Sequence, residues 1–243
     1  MVERPVFIST EKEKEYVRIR TIEFEWFPGF SIKQKQKSIE SLHKNYKEIY
    51  PNSNILEVSS KSDKEIGVAL SAFNLMIKTK NNKEFSVETA FQASKVFEAG
   101  GPFLDLYEKT SKDAKKDPRI KNSGKLLYFN FFGRKWELEP KTFFYDWLYI
   151  NALSLNKELS KEVMQYDAFT DIEFNPKKSI NCQANAVALY VSLEKMGRLD
   201  DALSSIEKFQ ELLFGKQSEN DIDEKNKDER LETKQLSIFD SVE

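Results

Sequence analysis

Two segments constrain the fold more than any other part of the chain. "PKTFFYDWLYINALSLN", residues 140–156, and "SINCQANAVALYVSLEKMGRLDDALSSIEKFQELLF", residues 179–214, are long, strongly apolar helical patterns. Such helices need a core to enter, and 19 Phe with 13% aromatic content in 243 residues supply one. Strand signals surround them. "EYVRIRTIEFEWFPGF" alternates imperfectly and ends at the turn signal Pro28-Gly29. "SIKQKQKSIESLHKNYKEIY" spaces Ile32, Ile39, Leu42, Tyr46 and Ile49 at helical intervals, and Pro51 closes it. "NILEVSS" reads as a short strand, and "LSAFNLMIKTKNNKEFS" as two strands joined at Asn81-Asn82. The expectation is a helix-dominated α+β domain with a small sheet. Residues 1–60 are expected to extend its core with a strand and a helix, and residues 61–214 to form its body. From Gly215 onward "GKQSENDIDEKNKDERLETK" has almost no apolar residues to offset its ordering entropy, so 215–243 is expected to be a disordered acidic tail.

Several function classes fall away. The chain has no run of about 18 apolar residues, and "MVERPVFISTEKEKEYVRIR" lacks the apolar segment of a secretory signal, so a soluble, cytoplasmic protein is expected. One cysteine, Cys182, precludes an internal disulfide; with one histidine, His43, there is no His/Cys cluster at metal-ligand spacing. No cofactor or transition metal is expected, although this leaves room for a carboxylate-bound Mg²⁺. His43 reads as a surface or packing residue. The net charge of -2 divides unevenly. Residues 215–243 hold nine acidic and five basic groups, leaving 33 basic and 31 acidic in the body. That balance does not suit a protein gripping long DNA electrostatically, but it allows contact with one nucleotide or a short strand.

"FSVETAFQASKVFEAGG" poses the sharpest question, because a core-entering helix there carries a polar line. With Ser86 as N-cap, Glu88, Gln92 and Lys95 fall within roughly 60° of one another, beside a face of Val87, Ala90, Phe91, Ser94 and Phe97. Spacing alone fits an ordinary amphipathic helix with a solvated Glu and Lys.

A resemblance points further. "LSAFNLMIKTKNNKEFSVETAFQASKVF" resembles the opening signature of the NADAR, or YbiA-like, family: Leu70-Ser71-Ala72-Phe73, then Val87-Glu88, Phe91-Gln92-Ala93 and Lys95. "AKKDPR" (114–119), "RKWELEPKTFFYDWLYINAL" and "YDAFTDIEFNPKKSINCQANAVALYVSL" resemble its later blocks in order, over about residues 65–195. With "FEWFPGFS" upstream, the wording is most similar to the branch associated with DarT-type DNA ADP-ribosyltransferase toxins. Ala72, Thr89 and Thr170-Asp171 depart from the family's Asn, His and Trp-Gly.

The resemblance implies an enzyme that hydrolyses the N-glycosidic bond between ADP-ribose and the guanine amino group in DNA, as the antitoxin of a DarT-type toxin encoded nearby. A related glycosidase acting on a small molecule, such as a riboflavin-pathway intermediate, or a non-catalytic ADP-ribose-binding antitoxin would use the same positions. Cleavage at such a carbon passes through an oxocarbenium-like state. Glu88, near a helix N-terminus, suits charge stabilisation or general-base work, with Asp167 as the second carboxylate. Lys95 acts either as a neutral nucleophile forming a Schiff base at the ribose C1 or as a charged anchor. Ser71, Phe73, Gln92, Trp136, Lys178 and Asn181 are the implied substrate contacts. Trp136 would stack on a base, where its plain alternative is core packing; Lys177 and Lys178, beside Asn175-Pro176, would meet phosphates, or be a solvated loop pair. Finally, Gln235-Leu236-Ser237-Ile238-Phe239 resembles the short motif by which bacterial repair proteins bind the sliding clamp, with the tail as tether.

Overall fold

The computed structural model describes residues 1–12, 15–79, 81–177 and 179–215. The chain opens with β1 (Val2–Lys12), β2 (Glu15–Phe24), α1 (Ile32–Ile49) and β3 (Ile55–Glu57). It continues through α2 (Glu65–Ala69), β4 (Met76–Lys78), β5 (Glu84–Ser86), α3 (Val87–Ala93) and β6 (Lys95–Phe97). After a 3₁₀ turn at Leu104–Glu108 come α4 (Ser111–Lys116), α5 (Pro118–Asn122), β7 (Leu126–Phe131) and β8 (Arg134–Trp136). The last third holds α6 (Phe143–Leu155), α7 (Lys157–Val163), β9 (Ala168–Thr170), α8 (Gln183–Lys195), α9 (Leu199–Leu203) and α10 (Ile206–Phe214).

The main sheet has the order β2-β1-β9-β3. β1 is antiparallel to β2 and to β9, whereas β3 runs parallel to β9. Successive side chains of a strand face opposite ways, and this sheet buries both faces. On one face Val6, Ile22, Phe24, Ile55 and Ala168 meet Ile39, Leu42 and Tyr46 of α1. α1 starts where Ser31 accepts a hydrogen bond from the Gln34 amide, and it ends before Pro51. On the other face Phe7, Leu56 and Phe169 enter the large core built by α6 and α8. Eleven of the thirteen residues of α6 are buried, which is why its apolar pattern runs all the way round the helix.

Helices outweigh strands, as the sequence leads one to expect, with three differences. The first strand, β1, is absent from the sequence reading because its charged and β-forming residues alternate too irregularly. The apolar pattern of residues 179–214 is three helices, not one. It breaks at Gly197, φ +63°, where the amides of Gly197 and Arg198 turn back to the carbonyls of Glu194 and Leu193 in a Schellman closure. It breaks again at Ser205, which caps α10 by accepting from the Lys208 amide. Lastly, the helix expected to carry the whole polar line stops at Ala93. Lys95 opens β6, which pairs with β7 through Lys95 and Phe129. Val96 and Phe97 favour that strand, and Gly101 presses so close behind it that a Cβ there would lie 2.2 Å from the Lys95 carbonyl oxygen. The expected 215–243 tail lies outside the described residues from 216 onward.

Candidate active site

α3 is anchored at its start. The Ser86 hydroxyl caps it by accepting from the Thr89 amide at 3.0 Å and lies 2.7 Å from the Ser111 hydroxyl at the head of α4. Ser111 donates to the Phe73 carbonyl at 2.7 Å. The otherwise unpaired amides of Val87 and Glu88 donate to the carbonyls of Leu75 and Ala72. Ser71, Phe73, α3 and α4 are thereby fixed as one unit beside a cleft of about 930 Å³.

The polar line lies along the wall of that cleft. Lys95 Nζ donates to Gln92 Oε1 at 2.8 Å, and Gln92 Nε2 donates to Glu88 Oε1 at 2.9 Å. An amide between an ammonium and a carboxylate has one sensible orientation, so Gln92 relays polarity from one charge to the other. Lys115 Nζ reaches the same Glu88 oxygen at 3.4 Å and stands 4.9 Å from the Phe73 ring centroid. Glu88 is only 5% exposed. Burial lowers the Lys95 amine from 10.5 to about 8, with Glu88 opposing and Lys115 assisting. Its Nζ lies 4.8 Å from the Phe91 ring centroid, a further cation contact. The change from helix to strand after Ala93 therefore leaves Glu88, Gln92 and Lys95 in register, by turning the last of them across the helix end.

The other cleft residues come from distant segments. Ser71, Phe73, Asn181, Lys61, Lys112 and Lys116 line it, as do Asp171, Glu173 and Tyr145. Gln183 ties the walls together, accepting from the Ala72 amide at 2.7 Å and donating to the Val58 carbonyl at 2.6 Å. Tyr145 is buried, and desolvation, followed by the charge of Glu88, holds its phenol well above the ordinary range, so it remains a neutral O–H donor. Cys182 is buried with its thiol pushed up by desolvation, which leaves it unreactive.

Two expected site residues lie elsewhere. Asp167 is absent from the cleft: Ser53 donates a short hydrogen bond to its Oδ1, and it lines a separate recess with Tyr46, Tyr50 and Arg18. The reason is positional. Asp167 and Asp171 flank opposite ends of β9, roughly 13 Å apart at extended spacing, so only one can reach the cleft. Trp136 is 3% exposed, packed against Phe143, Phe144 and Trp147 with centroids 5.4, 5.1 and 4.6 Å away. It is a core residue, not a base-stacking one. Lys178 and the motif Gln235 to Phe239 lie outside the described residues.

Asp171 is the carboxylate that the sequence reading missed. It stands where the resemblance breaks down, and the signal available was parity: it follows Phe169, a main-core residue, by two. Glu57 holds the residues on either side of it, one by its side chain and one by its backbone. Glu57 Oε2 accepts from the Thr170 hydroxyl and Oε1 from the Ile172 amide, at 2.6 and 2.8 Å, while Ser59 adds a third donor at 2.6 Å. Desolvation, then the neighbouring Glu57 charge, raises the Asp171 carboxyl. Glu57, with its three donors, is the better place for the negative charge, and Asp171 the better place for a proton. Behind them His43 Nε2 lies 2.8 Å from the Thr170 hydroxyl. Because that hydroxyl donates to Glu57, it accepts from His43, which fixes the proton on Nε2. Burial holds His43 neutral, with its pKa down at about 3.

Among the described residues no group of three or more His, Cys, Asp and Glu could hold a metal ion, and no helix is long and apolar enough to cross a membrane. The cleft thus offers a tempered lysine, the Glu88 carboxylate hydrogen-bonded to it through Gln92, a proton-holding carboxyl at Asp171 and a rim of lysines. No curated protein matches the sequence. The family model described as the DarT1-associated NADAR antitoxin matches residues 2–223, and the chain belongs to that family.

Proposed function

We propose that this antitoxin hydrolyses the N-glycosidic bond between ADP-ribose and the guanine amino group in DNA, so reversing the toxin's modification. The observation that carries the reading is the Lys95–Gln92–Glu88 line inside a cleft walled by Lys61, Lys112, Lys115 and Lys116. Cationic walls suit a diphosphate or DNA phosphates, while the polar line suits an electron-poor sugar carbon.

The neutral Lys95 amine attacks the ribose C1, forming a C–N bond as the bond to the guanine nitrogen breaks. Asp171 supplies the proton that the leaving amine needs, and Glu88 stabilises the cationic sugar. Glu88 takes one N–H proton from the resulting ammonium and passes it to the ring oxygen as the ribose ring opens, giving a protonated Schiff base. Water adds to its carbon and loses a proton to Asp171, which is thereby restored; Glu88 then moves the proton of the new hydroxyl to the nitrogen, so that Lys95 departs as the neutral amine and ADP-ribose is released as the aldehyde. Gln92 orients Lys95; Ser71, Phe73 and Asn181 border the substrate.

The test follows ADP-ribose release by mass from an oligonucleotide bearing ADP-ribosylated guanine. Wild type should release it; Glu88→Gln and Lys95→Ala should not. Borohydride added during turnover should leave an adduct on Lys95. Release without any adduct assigns Lys95 an electrostatic role. No release by wild type returns the site to a small-molecule substrate or to ADP-ribose binding alone.

A further inference from the structure

The segment between β2 and α1, "EWFPGFS", takes no part in the cleft chemistry, yet its composition is unusual. Phe30 is wholly exposed, at 102%, and Ile32 is 53% exposed. An aromatic ring left entirely in water has apolar surface unused by the fold. Cations interleave with the neighbouring rings: Arg4 and Lys35 lie 5.4 and 4.8 Å from the Trp26 centroid, and Lys37 lies 5.9 Å from that of Phe27. Lys33 is exposed beside them, and the first turn of α1 holds no acidic residue. Glu25 is the exposed acid within the segment itself.

The start of α1, which follows the segment, reaches the edge of the cleft. Lys35 Nζ pairs with Glu173 Oε1 at 3.2 Å, and Glu173 and Phe174 both line the cleft next to Asp171. Phe174 in turn packs on Phe7 of β1, with centroids 6.2 Å apart. A polyanion leaving the lysine-walled cleft past Glu173 comes to Lys35, and through it to the Trp26 ring on which that lysine rests. Exposed rings between cations match a strand whose bases are unpaired, because every base has a face to stack and every linkage a negative charge. Duplex DNA keeps those faces covered.

We infer that the β2–α1 segment is a landing surface for single-stranded DNA flanking the modified nucleotide, with a base stacked on Phe30 and phosphates on Lys33 and Lys37. This rests on the DNA-directed reading of the cleft. The first test avoids catalysis: fluorescence anisotropy of the full chain with an unmodified, dye-labelled oligothymidine. Phe30→Ala, which removes no buried contact, should weaken binding about 5- to 100-fold. Lys33→Ala and Lys37→Ala should each flatten the salt dependence by roughly 0.7 in log–log slope. The second test compares ADP-ribosylated guanosine with the same adduct in an oligonucleotide. Phe30→Ala should raise KM for the oligonucleotide and leave turnover of the nucleoside unchanged.

Equal affinity of wild type and Phe30→Ala for oligothymidine overturns the inference. So does unchanged oligonucleotide binding together with loss of a complex with the ADP-ribosyltransferase, which would make the segment a protein interface. If wild type binds oligothymidine through Phe30 but cleaves neither adduct, the hydrolase reading fails and the landing surface stands. If it cleaves both with Phe30 irrelevant, the reverse holds.

Discussion

Replacing Glu88 by glutamine should move the proton equilibrium of Lys95 as well as slow the reaction. Burial brings the amine to about 8, so roughly one molecule in ten is neutral at pH 7, against about one in a few thousand for an ordinary lysine. Glu88 holds that value up and Lys115 presses it down. The two charges of Glu88 and Lys95 are separated by the Gln92 amide and its hydrogen bonds, roughly 7 Å, worth about 2 kcal/mol at an effective dielectric constant near 20. Partial solvent access reduces this to about 1 kcal/mol, a little under one pH unit. The nucleophile is the neutral amine, whose population rises with pH, so trapping by borohydride should follow a rising limb centred near 8. Glu88→Gln should shift that limb down by about one pH unit, whatever it does to the plateau. Lys115→Ala should shift it up, both by removing a like charge and by freeing Glu88 from its 3.4 Å ion pair. The assay is the pH dependence of adduct formation measured by mass. Limbs that stay in place, or that move the same way in both variants, would refute the electrostatic account of Lys95.

The same lysine should cost stability. Its folded pKa lies below its unfolded value, so the unfolded chain binds the extra proton between pH 8 and 10.5, and stability rises with pH across that window. Lys95→Met should therefore be more stable than wild type by roughly 1–3 kcal/mol at pH 7, the gain fading between pH 8 and 10.5 and gone above that, as followed by urea unfolding. Glu57→Gln should move the alkaline limb of the rate profile to lower pH, because the Glu57 charge helps to keep the proton on Asp171. Asp167→Asn should keep turnover within about twofold of wild type, since the side chain faces the Ser53 recess. Trp136→Ala should lose about 3–5 kcal/mol in denaturant unfolding while KM, measured where the protein is folded, stays put.

How far the site could be read in advance depended on which level of structure set each residue. Glu88 and Gln92 follow from local pattern: a Ser86 cap and helical spacing place them at the edge of an apolar face, and both are buried in the cleft wall. Lys95 reaches the same wall although the helix ends two residues earlier, because β6 pairs with β7, a long-range event that periodicity does not encode. The choice between Asp167 and Asp171 hangs on which end of β9 opens to the cleft. That depends on β3 and β1 flanking it, not on any nearby residue. Trp136 carries no mark in sequence to separate a stacking platform from a core aromatic, and three neighbouring rings decide it. β1 was illegible for a similar reason: its strand character is conferred by β2 on one side and β9 on the other.

The way β1 is held has a consequence for synthesis. Phe7 pairs with Phe169, and the Thr10 amide donates to the Ser192 hydroxyl across a separation of 182 residues. Contacts so far apart in sequence must wait for the intervening chain, which a ribosome takes about 10–40 s to make. Gln183, which joins the Ala72 and Val58 walls, arrives in the same late stretch. A ribosome that stalls between Lys95 and Gln183 releases a fragment carrying Glu88, Gln92 and Lys95 but no closed cleft around them. The cleft therefore closes only once Gln183 has been made, and a chain stopped before it carries the polar line without the walls that enclose it.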